Sequence, residues 1–364
     1  MKFVRMRYFI WFSIACCAAT FLTTELQAKR RKKRYRITHT TQTPQREGNI
    51  YYAISRRAQA LGVEIGFCAE LLEQSVQLAH NADNLYPMAS TCKVPIALAF
   101  LKGVDDQRFL LDERVQLKPT DWRPGAWLSK KRNITRQSFY IRDLLKLMLE
   151  YSDNIAADLV LKHVGGPQAV DRLLSTYGIY GIRLDRSIQD IMADSDGMSK
   201  AYGHNFKLIT NEELYKKREY RISPSTARQA QHQFLNDPRD TSSPRAMNEV
   251  LKKICSQEIL TPFTNQLLLD SMWLCRADTK IPALLPGNVD IYHKTGCLPG
   301  VSNDVGIIIL PHDAGTLVVS IFVKGPNAST CQGARLIAET TKLIYEYMMR
   351  HAHKTVPAEE PIAA

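Results

Sequence analysis

A serine and a lysine three residues apart, at the head of an apolar run, constrain this chain more than any other feature in it. The stretch is Tyr86, Pro87, Met88, Ala89, Ser90, Thr91, Cys92, Lys93, followed by Val94 to Leu101. If Ser90 opens a helix, three residues make nearly one turn, and the Lys93 ammonium comes up beside the Ser90 hydroxyl. A serine hydroxyl is a weak nucleophile at neutral pH. An amine kept partly neutral by burial or by a second cation can take its proton as it attacks. The helix N-terminus adds free N–H groups for a developing oxyanion. Alone the pattern carries little weight, because a Ser-x-x-Lys match is expected about once or twice in a chain of this length.

Two further motifs change that. Ser152-Asp153-Asn154 falls in the turn after an amphipathic helix, Ile141 to Glu150, and Lys294-Thr295-Gly296 falls on a strand. With Ser90-x-x-Lys93 they form an ordered triple that average residue usage would produce on the order of once in a thousand chains.

The surrounding pattern predicts a helix over Ile50 to Leu61, a strand over Gly62 to Ala69, and its hairpin partner within Leu71 to His80. Gly103 is expected to end the Ser90 helix. Leu110 to Tyr140 is loop-like; its Trp122, Pro124, Gly125 and Trp127 either line a groove or pack beneath the loop. Ile155 to Val164 is helical again, stopped by Gly165-Gly166-Pro167. Thr210 with Glu213 reads as a capping box for a helix through Tyr220. Ser243 before Pro244 starts a helix to about Cys255, and another covers Asn265 to Leu274. Asp290 to Lys294, Val305 to Leu310 and Thr316 to Val323 form an antiparallel meander, on which a helix from Cys331 to about Met349 lies beside the first helix. The expected fold class is α/β, an antiparallel sheet flanked by N- and C-terminal helices plus an inserted all-helical domain. Residues 49–89 and 256–350 form the sheet domain, 90–255 the helical one, and 351–364 a tail.

From about Tyr51 to Met349 the chain resembles the serine penicillin-recognising enzymes, most closely class A β-lactamases. The resemblance rests on Pro87-Met88-Ala89-Ser90-Thr91, Tyr151-Ser152-Asp153-Asn154, Gly165-Gly166-Pro167, Arg183-Leu184-Asp185-Arg186, Asp240-Thr241 with Pro244, and Lys294-Thr295-Gly296 with Asn303-Asp304. It implies that Ser90 is the acylated nucleophile, Lys93 its proton acceptor, and Ser152 a relay to the leaving nitrogen. Asn154 would bind the substrate's side-chain amide. Lys294 would attract the substrate carboxylate, which Thr295 also binds, and would help keep Lys93 deprotonated. The N–H groups of Ser90 and of Cys297, which follows Gly296, would form the oxyanion hole. No cofactor or metal is implied, and the partner is a small β-lactam or a cell-wall peptide.

One departure stands out. Class A enzymes place a water-activating glutamate two residues after the arginine that Arg186 matches, and here that position is Ile188. Asp190 is the nearest carboxylate; Asp194, Asp196, Glu212 and Glu213 follow in a segment, Ile191 to Arg221, that looks inserted. The family's arginine after the Lys294 strand is also missing, since Ser302 and Asn303 stand there. Three readings follow: a β-lactamase-like hydrolase with altered deacylation, a D-alanyl-D-alanine peptidase or related cell-wall amidase, and a covalent penicillin sensor that does not turn over.

The chain begins with Lys2, Arg5 and Arg7, an apolar run from Tyr8 to Leu22 and a polar Thr23 to Ala28, the pattern of an export signal cleaved after Ala28. A membrane anchor and lipid attachment at Cys16 or Cys17 are the alternatives. Lys29 to Arg36 is strongly basic and resists translocation; residues 29–48 are read as a basic and polar linker. Residues 1–47 carry 11 basic and 2 acidic side chains, so the net charge of +12 falls to +3 over residues 48–364. The folded part is thus nearly balanced, with no specific nucleic-acid partner expected. The basic segment suits anionic envelope surfaces, and a monomer in the periplasm or outside the cell is expected. Six cysteines remain beyond the leader, an even number that fits an oxidising compartment and allows 15 pairings.

Overall fold

A computed structural model describes residues 49–122, 126–130, 137–203 and 222–352. The leader, the basic linker, Pro124 and Gly125, the Thr210–Glu213 capping box and residues 353–364 lie outside the described residues. Every element below belongs to one compact unit, Arg46–Leu285 with Asp290–Ala364; Pro286–Val289 is grouped apart and is a turn closed by the Val289 N–H on the Pro286 carbonyl at 3.3 Å.

The chain enters on helix α1 (Asn49–Leu61) and a hairpin, β1 (Glu64–Leu71) and β2 (Val76–His80). Far along the sequence, β7 (Asp290–Leu298), β8 (Val301–Ile309) and β9 (Thr316–Lys324) form the meander, and helix α11 (Cys331–Ala352) closes the chain. The five strands make one antiparallel sheet in the order β2-β1-β9-β8-β7, so the two ends of the sequence meet along β1 and β9, with Cys68 opposite Ser320. Helices α1 and α11 pack together on the sheet, and α9 (Pro244–Cys255) packs separately on β1, β8 and β9. Neither face is left open. Accordingly β8 and β9 are buried along nearly their whole length; β9 reads as a near-continuous apolar run, whereas β8 carries the buried polar residues Ser302, Asn303 and Asp304 ahead of its apolar half. Edge strand β7 faces the helical part of the chain.

Between the sheet segments lie β3 (Tyr86–Pro87), a 3-10 turn (Ala89–Cys92), α2 (Lys93–Asp105), β4 (Arg114–Gln116), β5 (Ser138–Tyr140), α3 (Ile141–Glu150), α4 (Asn154–His163), α5 (Pro167–Thr176), α6 (Ile188–Asp196), α7 (Met198–Tyr202), α8 (Pro224–Leu235), β6 (Thr241–Ser242) and α10 (Pro262–Trp273). Their starts follow local chemistry: Ser243 Oγ accepts the Ala246 N–H at 3.1 Å ahead of Pro244, and Asp153 accepts from Ala156 N at 2.8 Å.

Three expectations are corrected. Ser90 does not open the α-helix but sits in the 3-10 turn before it, and the α-helix begins at Lys93. Gly103 does not end that helix, which runs on to Asp105; a Cβ at Gly103 would lie 2.2 Å from the Phe109 ring, so the residue is small to admit a neighbour. The meander strands are longer than their apolar runs, because Pro299-Gly300 is a tight hairpin turn, with Gly300 at φ 73°, rather than a break. Trp122 is buried, and Trp127 packs its ring 5.3 Å from that of Tyr151. All six cysteines beyond the leader are free thiols.

Candidate active site

The 3-10 turn carrying Ser90 is held from both sides. Ala89 has φ 48°, a left-handed conformation that costs a non-glycine residue about 1–3 kcal/mol unless its surroundings fix it. The fixing group is Asn303 of β8, fully buried, whose Nδ2 donates to the carbonyls of Pro87 at 2.8 Å and Met88 at 2.9 Å. Thr91 closes the same turn, its Oγ1 donating to Met88 O at 2.8 Å. In a 3-10 turn residues i and i+3 eclipse, so Ser90 and Lys93 are brought together more directly than in an α-helix.

Lys93 is completely buried. Its Nζ lies 3.1 Å from Ser90 Oγ and 3.1 Å from Ser152 Oγ, and it donates to Ser152 O and Asn154 Oδ1, each at 2.7 Å. Ser152 itself stands at φ 56°, another strained position, in the turn between α3 and α4. Asp153 locks that turn: one carboxylate oxygen caps α4 and the other accepts the Leu128 N–H at 2.7 Å. Burial, then the charge of Lys294, brings the Lys93 pKa down to about 7. Lys294 is also fully buried, its own pKa lowered by that burial, and its Nζ donates to Thr295 O at 2.8 Å.

Strand β7 runs directly against the nucleophile turn. A Cβ on Gly296 would stand 2.7 Å from Met88 O and 3.2 Å from Ser90 N, so only glycine lets the strand approach. The cleft beside it is lined by Ala89, Ser90, Asn154, Ile188, Ile191, Met192, Cys297 and Leu298. Seven of the sequence-derived residues, Ser90, Lys93, Ser152, Asn154, Lys294, Gly296 and Cys297, are thereby gathered in one place, with Thr295 between Lys294 and Gly296. Asp190 is not among the lining residues. Its carboxylate accepts from Ser187 Oγ at 2.5 Å at the start of α6. No carboxylate is found among the described residues lining the cleft; Ile188, Ile191 and Met192 give it an apolar wall, and Met192 Sδ accepts from Asn154 Nδ2 at 3.1 Å.

The roles of three groups escaped the sequence reading. Asn303 enters that reading as half of the Asn303-Asp304 pair and at the place of a missing arginine, but its brace on the turn is visible only in the structure. Asp158 anchors α6 from α4. Beneath β7 lies a buried chain in which His293 Nδ1 meets Asp304 at 2.9 Å. Burial alone would lower the His293 pKa, but the Asp304 carboxylate and the Cys275 thiol raise it to about 10. Asn303-Asp304 belongs to the pattern that carries the resemblance, but with no role attached; no motif marks Asp158, on helix α4, or His293, on strand β7.

A family model, described as the beta-lactamase enzyme family, matches residues 49–348. This chain belongs to the beta-lactamase enzyme family. It is 25% identical over 285 residues to a β-lactamase of Bacteroides uniformis, covering 74% of this chain and 82% of that protein. It is 26% identical over 293 residues to the carbapenem-hydrolyzing β-lactamase KPC of Klebsiella oxytoca, covering 79% and 85%. Among solved structures, a β-lactamase from Chitinophaga pinensis superposes with a TM-score of 0.65 at 22% identity, covering 82% of this chain and 99% of that one. A variant of PBP-A, seen as an acyl-enzyme complex with penicillin G, gives 0.65 at 24% identity, covering 85% and 100%. The architecture is that of the class A β-lactamases, which include an ancestral class A enzyme matched at a TM-score of 0.65. Within the described residues the family match spans both the sheet and the helical elements around the cleft.

Proposed function

We propose that this protein opens the amide of a β-lactam through an ester to Ser90, and that it releases the product slowly. The observation that carries the reading is the Lys93 amine, 3.1 Å from Ser90 Oγ and brought to a pKa of about 7. A neutral amine has two N–H donors and one lone pair. Its two short contacts, to Ser152 O and Asn154 Oδ1, take the donors and leave the lone pair for a hydroxyl proton. As Ser90 Oγ bonds to the carbonyl carbon, its proton passes to Lys93 Nζ, and the N–H groups of Ser90 and Cys297 bind the oxyanion. When the carbon–nitrogen bond breaks, the nitrogen takes a proton from the Ser152 hydroxyl, which Lys93 resupplies. Lys294 and Thr295 hold the substrate carboxylate, and Asn154 its side-chain amide.

Water must then cleave the ester, and the apolar wall of Ile188, Ile191 and Met192 offers it no base. That wall also favours a second reading, in which the natural substrate is a cell-wall peptide ending in D-alanyl-D-alanine and a β-lactam is held as a long-lived ester. Residues 1–28 support export ahead of either activity.

Intact-mass measurement after mixing with penicillin G tests the reading: a one-equivalent adduct on Ser90, absent in Ser90→Ala, is expected. A chromogenic cephalosporin should give a one-equivalent burst followed by slow turnover. Label that persists on the same peptide in Ser90→Ala would refute the assignment of the nucleophile. Release of D-alanine from a pentapeptide selects the second reading.

A further inference from the structure

Behind the strand that carries Gly296 lies a lysine that no motif announces. Lys280 is 6% exposed, and its Nζ donates to the carbonyls of Gly296 at 2.8 Å and Asn303 at 2.9 Å. Those two residues are partners across β7 and β8. Burial lowers the Lys280 pKa, while the nearby Asp304 carboxylate works against that shift. Asp304 is itself fixed, accepting the Ile281 N–H at 3.0 Å and paired with His293.

The Gly296 carbonyl and the Cys297 N–H belong to one peptide unit. The unit is planar, and among the described residues there is no cis peptide, so the C=O and N–H point in opposite directions. An amine on the oxygen therefore sits at the tail of the dipole whose head is the Cys297 N–H. Hydrogen bonds in series polarise one another by about 10–30% each, and bonds from a charged donor are about twice as strong as neutral ones. Cys297 and Ser90 both line the cleft.

We propose that Lys280 is a positioning residue for the oxyanion site: its buried amine aligns and polarises the Gly296–Cys297 peptide, so that the Cys297 N–H binds a tetrahedral oxyanion better than a ground-state carbonyl. The proposal rests on the acyl-serine reading above. A group that acts only as charge develops changes the rate constant for acylation, not the affinity of the preceding complex. A simple pin between β7 and β8 would instead affect stability, or binding and rate together.

The full chain is acylated with penicillin G under rapid quench and read by intact mass, which separates the rate constant at saturation from the affinity. A boronic acid serves as the tetrahedral analogue. In Lys280→Met the rate constant is expected to fall roughly 10- to 100-fold. Penicillin affinity should stay within about twofold and boronate affinity should fall in step with the rate, since only the tetrahedral state uses the polarised donor. Lys280→Arg, which keeps a charged donor, should recover most of the loss. A folded Lys280→Met that acylates within about twofold of the parent overturns the proposal, as does equal loss of rate and penicillin affinity. Should Lys280→Met not fold, Lys280→Gln, with a donor but no charge, is read the same way: loss of rate alone supports the proposal and an unchanged rate overturns it. A parent protein that forms no Ser90 adduct overturns the acyl-serine reading together with this one. A normal parent adduct beside an unaffected variant overturns this one alone.

Discussion

The Asp158 carboxylate accepts the N–H of Ile188 at 2.6 Å and of Gln189 at 3.1 Å. One side chain from α4 thus caps α6 and holds the first residue of that helix in the cleft wall. Because both of these bonds go to backbone N–H groups, the Ile188 side chain can change without breaking them. Ile188→Glu sets a carboxylate in the same cleft as Ser90. If the apolar wall limits release, the variant should shorten the lifetime of the Ser90 ester by about 10²- to 10⁴-fold, the usual worth of a positioned general base. Recovery of unmodified mass after removal of free penicillin measures it. An unchanged lifetime would mean that release is limited elsewhere.

If Lys93 is the base of the proposed acylation, that step requires it neutral, and the rate constant should rise with pH along a limb centred near 7 and level off above it. Burial is the larger cause of that low pKa and Lys294 the next. Lys294→Gln removes a like charge, so Lys93 holds its proton more tightly and the limb moves to higher pH; a limb that stays in place would assign the shift to burial alone. The sign for stability follows from the same group. Between about 7 and its ordinary 10.5 the unfolded chain holds a proton that folded Lys93 does not, so this group adds stability as pH rises through that window.

Much of this fold is legible in the sequence because its elements carry local signals. The stripe of Ile141, Leu144, Leu145, Met148 and Leu149 coincides with α3, and Ser243-Pro244 marks the start of α9 at the residue where it begins. The three motifs are legible for a related reason: each is short, and each joins a reactive side chain to the turn or strand that presents it. What escaped is support by residues distant in sequence. Asn303 braces Met88 across 215 positions, and Lys280 acts on a carbonyl 16 residues away. Neither spacing has a period, and both side chains look like ordinary surface residues until the sheet closes over them. The 3-10 start at Ser90 was missed because an apolar run follows either kind of helix.

Asn303 gives a prediction that joins stability to chemistry. Its Nδ2 serves two buried carbonyls, and its Oδ1 accepts the Val323 N–H at 3.3 Å. In Asn303→Leu the Met88 carbonyl keeps Thr91, but the Pro87 carbonyl loses this donor inside the protein. An unpaired buried acceptor costs about 1–3 kcal/mol. Denaturant unfolding should show a loss of that size, and acylation should slow because the strained Ala89 turn is released. A stable variant with full activity would show that the turn holds its shape without this brace.

Gly296→Ala tests the contact on which the site's geometry depends. The added methyl would meet the Met88 carbonyl at 2.7 Å, Ala89 Cβ at 3.2 Å and Ser90 N at 3.2 Å. The nearest of these is backbone of a turn pinned by Asn303 and Thr91, so it cannot swing aside as a side-chain tip would. The strand must give way instead, carrying the Cys297 N–H away from the Ser90 N–H. Burial, the larger cause of the low Lys93 pKa, does not involve Gly296, and Lys294 keeps its charge even where the strand shifts, so the midpoint of the Lys93 limb should move far less than in Lys294→Gln. The plateau should drop by about 10²-fold, the cost of misplacing one oxyanion donor. A lowered plateau with a nearly unmoved midpoint therefore separates loss of the oxyanion site from damage to the base, and a plateau equal to the parent's would show that the two N–H groups do not act as a pair.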